Sequence, residues 1–135
     1  MRLDKFTIKA QEALHAAHNL ADEKGHQAVE PEHLLAVLVS QPDGLVPAIL
    51  TRIGFSPVEA NTKAGKAVAK LPRVTGADGG YISQRLKKAL EAAAKEAAGM
   101  RDEFISVEHL LIALADQAEG DPGEDKPDGE QLELV

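Results

Sequence analysis

Apolar residues in the first part of the chain recur at three- and four-residue spacing, which is typical of an amphipathic helix. One series would place five side chains on a single inward face: Ala10, Ala13, Leu14, Ala17 and Ala21. Thr7 is a suitable N-cap for this helix, and Lys24-Gly25 is a suitable end. Because alanine lets a neighbouring helix approach closely, we interpret the face as core and not as the wall of a wide ligand cavity.

The same periodicity, with recognisable start and stop residues, predicts five further helices. Pro31 suits a first helical position, and the helix that begins there should run from Glu32 to Ser40. The others are predicted as Leu45 to Ile53, Ser56 to Lys70, Ser83 to about Gly99, and Ser106 to about Ala118. The Ser83 helix should be buried through Leu86, Ala89, Leu90, Ala93 and Ala97. No segment alternates convincingly at period two, so no sheet is expected.

The helical pattern occurs twice. Residues 6–38 match residues 82–114 at a constant offset of 76, and Glu32-His33-Leu34-Leu35 falls on Glu108-His109-Leu110-Leu111. Two copies of a unit too small to bury its own apolar face are expected to pack against each other. We therefore predict an all-α fold, one compact bundle of two pseudo-twofold repeats. Copy one spans 1–70, a linker 71–81, and copy two 82–118.

Charge separates this body from the C-terminal residues. The net charge of −7 arises after residue 115, because the preceding residues balance 14 basic against 14 acidic side chains. Residues 119–135 are acidic and rich in glycine and proline, and are predicted to be a disordered tail. A neutral body with three phenylalanines and one tyrosine offers neither a basic stripe nor a stacking platform, which disfavours nucleic-acid binding.

Cysteine is absent, which excludes disulfides and thiolate chemistry and fits a reducing cytoplasm. No apolar run is long enough for a membrane span, and no signal-peptide core opens the chain. We therefore expect a cytoplasmic protein that does not contact a membrane.

Catalytic and cofactor motifs are not apparent. His15 and His18 are spaced for one helix face, but the H-E-x-x-H arrangement of hydrolytic zinc helices is absent, and surface or helix-capping roles are favoured for the histidines. The glycines of residues 76–80 precede no Lys-Ser or Lys-Thr, so no ATP-binding loop is predicted. Neither a G-x-S-x-G motif nor a nucleophile with a converging acid and base is found. We expect a non-enzymatic interaction domain without a metal or cofactor.

Five sequence segments together point to a family. They are 1–7, 10–14, 30–35, 71–74 and 102–111, reading MRLDKFT, AQEAL, EPEHLL, LPRV and DEFISVEHLL. In this order and spacing, over residues 1–118, they resemble the Clp N-terminal repeat domain, most closely the branch that precedes the ATPase modules of ClpB-type AAA+ protein disaggregases.

The resemblance implies a mobile helical module that captures unfolded or aggregated polypeptide in an apolar groove between its repeats. It also implies delivery to two ATPase rings, a hexameric parent protein and cooperation with a DnaK-type chaperone system, with the isolated domain a monomer. ATP would be bound only by the AAA+ modules, which this sequence does not contain. In the same family, N-domains of protease-associated unfoldases dock folded adaptor proteins, and this alternative stays open.

Matching the family's positions to this chain implies binding roles for Thr7, Asp102 and Glu108. Each has another explanation, since Thr7 can be a helix cap, Asp102 a loop acid and Glu108 a first-turn acid favoured by the helix dipole. Further groove candidates, chosen by position in the second copy, are Leu90, Ala92 and His109. The chain departs from the repeat after residue 120, where the match to the Leu45 helix would fall on the acidic tail.

Overall fold

The computed structural model describes residues 3–41, 44–72 and 81–120. A short 3-10 helix (Leu3–Lys5) comes first. The other elements, in chain order, are α1 (Ile8–Glu23), β1 (Ala28–Val29), α2 (Pro31–Ser40), α3 (Leu45–Arg52), α4 (Pro57–Ala69), β2 (Tyr81–Ile82), α5 (Gln84–Gly99) and α6 (Val107–Gly120). The predicted all-α class is confirmed, and the six α-helices lie where the periodicity placed them.

Side-chain caps start three of these helices. The Thr7 hydroxyl oxygen accepts a hydrogen bond from the Ala10 amide at 3.2 Å, and the Ser83 hydroxyl accepts one from Leu86 at 3.0 Å. Ser56 caps α4 in the same way. Each cap satisfies an amide that has no partner within its helix, which stabilises the helix start by roughly 1 kcal/mol.

The two copies share one geometry. The bounds of α5 equal those of α1 shifted by 76 residues, and α6 starts at the counterpart of the first residue of α2. The Thr7 amide donates to the Ile105 carbonyl at 2.9 Å, and its counterpart, the Ser83 amide, donates to the Val29 carbonyl at 3.1 Å. Because each bond crosses between copies, the repeats are related by a pseudo-twofold exchange of partners.

The expectation that no strand forms is wrong. β1 and β2 form a parallel pair in which Val29 faces Ile82, and Phe6 forms the equivalent bridge with Ile105. Strands of two residues are too short to show an alternating pattern, so period-two analysis cannot detect them. Tyr81, placed at the end of the predicted linker, belongs to this pair.

The core is one cluster of buried residues drawn from both repeats. On α1 and α5 it consists mainly of alanines, and Ala13, Ala17 and Ala93 are completely buried. The predicted buried face of α5 is confirmed at all five positions. These small faces let α1 pack closely against α2 and α5 against α6, and α2 and α6 contact each other.

Parts of the predicted organisation lie outside the described residues. These are linker residues 73–80 and the tail from residue 121 onward, including the position where a second Leu45-type helix would fall. α6 itself continues through Gly120, two residues beyond the boundary at 118. No single helix of the described ranges has the length and apolarity of a membrane span. α2 and α3 reach those criteria only together, across a 78° bend.

The alanine interface gives a direct test of packing. Ala93→Leu should destabilise the domain by about 1–3 kcal/mol, because the larger side chain has no space in the core. Urea unfolding followed by circular dichroism would measure the change. Ala98→Leu, at an exposed position on the same helix, is the control and should change stability by less than about 0.5 kcal/mol. Equal effects from both substitutions would contradict the inferred close contact.

Candidate functional site

A groove of about 710 Å³ lies where the two repeats meet. Its apolar lining comes from both copies: Leu3, Phe6, Leu14, Ala16 and Val29 from the first, and Ile82, Leu86 and Leu90 from the second. Its polar lining comes from α1 alone: Gln11, Glu12, His15, His18 and Asn19. We call this cavity the inter-repeat groove.

Local structure explains why these side chains meet. Phe6 and Ile82 each stand immediately before an N-cap, in the two segments whose backbones pair with the other repeat. Leu14 and Leu90 each come directly after a buried alanine of the long helix; Leu14 is half-buried, whereas Leu90 is itself buried and lies at the floor of the groove. The groove thus forms where the alanine-lined contact ends and larger apolar side chains begin.

The chemistry of the groove favours apolar ligands. Ile82 is 49 % exposed and Leu3 is 57 % exposed. An apolar segment bound in the groove would cover this exposed apolar surface and exclude water from it. Burial of such surface contributes roughly 25 cal/mol per Å². Within the described ranges, no group of three or more histidines and carboxylates could hold a metal ion.

Sequence reasoning identifies only one residue of this groove among its binding candidates. Leu90 lines it, whereas Ala92 is half-buried on α5 and packs against the core. Leu14, predicted to be wholly core, is half-buried and lines the groove, so the α1 face is not packing surface alone. Phe6 and Ile82 are missed, although they are matched by the 76-residue offset and flank the two predicted caps.

The remaining predicted residues gather at a different place, where the start of α6 meets the start of α1. We call Ser106, His109 and Asp102 the second corner. The Ser106 amide donates to His109 Nδ1 at 2.8 Å, so the ring proton is on Nε2, which donates to Asp102 Oδ2 at 2.9 Å. Both ring nitrogens of His109 are therefore hydrogen-bonded. The His109 side chain is buried, whereas the adjacent Glu108 is exposed.

Thr7 joins this corner through its backbone. Its amide bonds to Ile105, the residue before Ser106, while its hydroxyl caps α1. Thr7 is also the neighbour of Phe6, which lines the inter-repeat groove. Thr7 therefore adjoins both the second corner and the groove, and none of Thr7, Asp102 and Glu108 lines the groove.

Repeat one contains an equivalent first corner, made of Glu30, His33 and His26. The Glu30 amide donates to His33 Nδ1 at 2.8 Å, and His33 Nε2 then donates to His26 Nδ1 at 2.8 Å. His26 is the counterpart of Asp102 at the 76-residue offset. The helix-capping role expected for histidine is confirmed at His33 and His109, but both rings are buried and not at the surface.

The turn after each long helix places these partners. Gly25 has φ of 73° and its counterpart Arg101 has φ of 60°, in the left-handed region that ends many helices. The next amides in the chain, of His26 and Asp102, donate back to Ala21 and Ala97 at 2.9 and 2.8 Å. Glycine adopts this conformation without strain, whereas arginine does so at some cost.

A charged contact also joins the repeats. Arg85 Nη2 lies 3.0 Å from Glu32 Oε2, and Nη1 lies 3.4 Å from Glu30 Oε1. The Arg85 side chain is 48 % exposed, so each bridge contributes little to stability, roughly 0–1 kcal/mol. Glu32 is the counterpart of Glu108, so this bridge occupies in repeat one the position that the family resemblance assigns to binding in repeat two.

His33 should make the domain sensitive to acid. Burial, and secondly His26, lower the pKa of His33 from 6.5 to about 4. Between these two pH values the unfolded chain binds a proton that the folded chain excludes, so stability decreases as pH falls. The loss should reach up to about 3 kcal/mol by pH 4 and vanish above about pH 7.

Urea unfolding of the natural chain and of His33→Gln, measured from pH 8 to 4, isolates this effect. Glutamine at this position can still accept the Glu30 amide bond but does not titrate. The variant should therefore lose less stability between pH 6.5 and 4. Identical pH dependences would contradict the role of His33.

Comparisons with known proteins agree with this geometry. Residues 5–124 match the family described as the Clp repeat (R) N-terminal domain. The chaperone protein ClpB of Porphyromonas gingivalis is 35 % identical over 114 residues, which cover 84 % of this chain and 13 % of ClpB. The chain thus spans only a small part of this relative.

Solved structures share the fold. The Hsp104 N-terminal domain from Candida albicans superposes with a TM-score of 0.78 at 21 % identity, covering 85 % of this chain and 76 % of that domain. A ClpV N-domain in complex with VipB peptide superposes with a TM-score of 0.74 at 21 % identity, covering 86 % and 71 %. The resemblance carried by the motifs is confirmed, and the chain belongs to the family of Clp repeat N-terminal domains.

Proposed function

We propose that this domain binds exposed apolar segments of unfolded or aggregated polypeptide in the inter-repeat groove. The observation that carries the proposal is that apolar side chains of both repeats line one open cavity. The complex of a ClpV N-domain with VipB peptide supports it, because that domain shares the fold. Delivery to the ATPase rings of a hexameric ClpB-type disaggregase, in cooperation with a DnaK-type system in the cytoplasm, completes the proposal.

Binding of this kind would be weak and tolerant of sequence. Apolar contacts are non-directional, and much of their free energy would be offset by the cost of ordering an unfolded chain. Weak binding suits a domain that captures a client and then releases it. In this scheme ATP hydrolysis is carried out by the AAA+ modules of the parent protein and not by this domain.

Docking of a folded adaptor is the second candidate. It is favoured by exposed apolar side chains between α3 and α4, where Ile53, Phe55 and Val58 are each more than half exposed. These residues do not line the inter-repeat groove. Exposed apolar side chains close together in sequence are a feature of surfaces that bind other proteins.

Substitutions of two isoleucines distinguish client binding in the groove from adaptor docking outside it. Ile82 lines the groove and is 49 % exposed, whereas Ile53 lies outside it and is 60 % exposed. Ile82→Asn should weaken binding of unfolded casein about fivefold, because roughly 1 kcal/mol of apolar burial is lost. Ile53→Asn is the matched control and should leave it unchanged.

Amide NMR spectra recorded during a casein titration would measure these affinities. The largest shifts are expected at groove residues. An unmoved spectrum at millimolar casein would reject client binding, and a weakening by Ile53→Asn alone would favour the adaptor surface.

The predicted binding residues at and beside the second corner are tested separately. We propose that Asp102, Glu108 and Thr7 assist binding at the end of the groove beside Phe6, where the two carboxylates attract basic residues that flank an apolar client segment. Glu108→Gln and Asp102→Asn should each weaken casein binding about two- to fivefold, since exposed charge pairs contribute roughly 0.2–1 kcal/mol. Asparagine can still accept the His109 hydrogen bond, so the fold should be kept.

Glu103→Gln provides the control, because Glu103 is an exposed acid in the same loop. It should leave casein affinity within twofold of the natural chain. If all three neutralisations weaken binding equally, the effect is one of net charge and not of these positions.

A further inference from the structure

Two pairs of residues in the lining of the inter-repeat groove are related by the pseudo-symmetry. Leu14 and Leu90 are counterparts at the 76-residue offset, and so are Phe6 and Ile82. All four side chains line the same cavity. A groove that contains both members of two symmetry-related pairs lies across the pseudo-twofold axis, and not within one repeat.

The symmetry is structural as well as sequential. The Val29–Ile82 strand pair becomes the Ile105–Phe6 bridge when the copies are exchanged. The bonds from the Thr7 and Ser83 amides exchange in the same way, with lengths of 2.9 and 3.1 Å. The segments that carry Phe6 and Ile82 therefore hold equivalent positions in the two halves of the domain.

We propose that the inter-repeat groove binds an extended apolar segment in both chain directions. Rotating a bound segment by half a turn about the pseudo-twofold axis reverses its direction and exchanges its contacts within each pair, although Phe6 is 2 % exposed and Ile82 49 % exposed. Leu14 then takes the place of Leu90, and Phe6 that of Ile82. Since apolar contacts carry no direction, both orientations bury similar surface. This inference rests on the proposed function of the groove.

Polar residues and unpaired apolar residues limit the symmetry. Val29 and Leu86 line the groove, whereas their counterparts Ile105 and Ala10 do not. Glu12, His15 and the other polar lining residues come from α1 alone, so they meet opposite sides of the segment in the two orientations. Glu12 is exposed, and contacts at such positions are weakened by water. The two orientations should accordingly differ in population by less than about tenfold.

The benefit would be in client recognition. An unfolded or aggregated chain presents apolar segments whose direction relative to the chaperone is uncontrolled. A groove that accepts both directions engages either end of the client first, so an entangled chain need not reorient before capture.

Paramagnetic relaxation tests the proposal. A short uncharged peptide with alternating apolar residues would carry a nitroxide at its N-terminus in one sample and at its C-terminus in another. Signal loss would be measured at counterpart amides, Leu14 with Leu90 and Gln11 with Lys87. If both directions occur, each label broadens both members of each pair.

Broadening of one helix by the N-terminal label and of the other by the C-terminal label would overturn the proposal while leaving the proposed function intact. Absence of binding would overturn both.

A second measurement separates reversal from sliding of the peptide along the groove. A lysine added to one peptide end should favour the orientation that brings it to Glu12, and moving it to the other end should invert the ratio of broadening. Glu12→Gln should bring the ratio back towards that of the uncharged peptide. A ratio of broadening that does not change with the position of the lysine would indicate sliding and contradict binding in two directions.

Discussion

Each repeat relies on the backbone of the other at the point where its long helix begins. The Thr7 amide bonds to Ile105 of repeat two, and the Ser83 amide bonds to Val29 of repeat one. These residues are also the N-caps of α1 and α5, so the bonds that join the repeats set where both long helices start. Neither copy has a complete set of partners for these segments on its own.

Alanine faces turn this connection into a compact bundle. Ala17 and Ala93, which are counterparts, are completely buried and allow close approach of neighbouring helices. Larger side chains follow beside the alanines, and of these the half-buried Leu14 and the buried Leu90 line the inter-repeat groove. A tight centre and an open apolar margin thus arise from the same helices by a change in side-chain size.

The helices and caps could be predicted because their signals are local. Thr7 and Ser83 are capping residues beside apolar periodicity, and the 76-residue offset shows them twice. The strand pairs could not, because two-residue strands exist only through a partner that is distant in sequence. The groove could not either, since its shape depends on the surface that two packed copies leave uncovered. Position in the second copy indicates Leu90, whereas Ile82, the first residue of the predicted second copy, has no local signal that would mark it as a groove residue.

The corners show a different limit. The offset aligns His26 with Asp102, but the two side chains share no chemistry, and only the structure reveals that each bonds to the capping histidine of its own repeat. Repeat one uses a second imidazole where repeat two uses a carboxylate. The copies share their geometry but use different side chains to hold the capping histidine, so equal packing does not imply equal chemistry at the two corners.

One consequence concerns mechanical force. Phe6, Val29 and Ile82 line the groove and also belong to the backbone pairs that join the repeats. A pull that separates the two halves must therefore widen the cavity that would hold a ligand, and a ligand bridging both halves must resist that pull. Cohesion of the domain and retention of any ligand in the groove would thus depend on the same line of contacts.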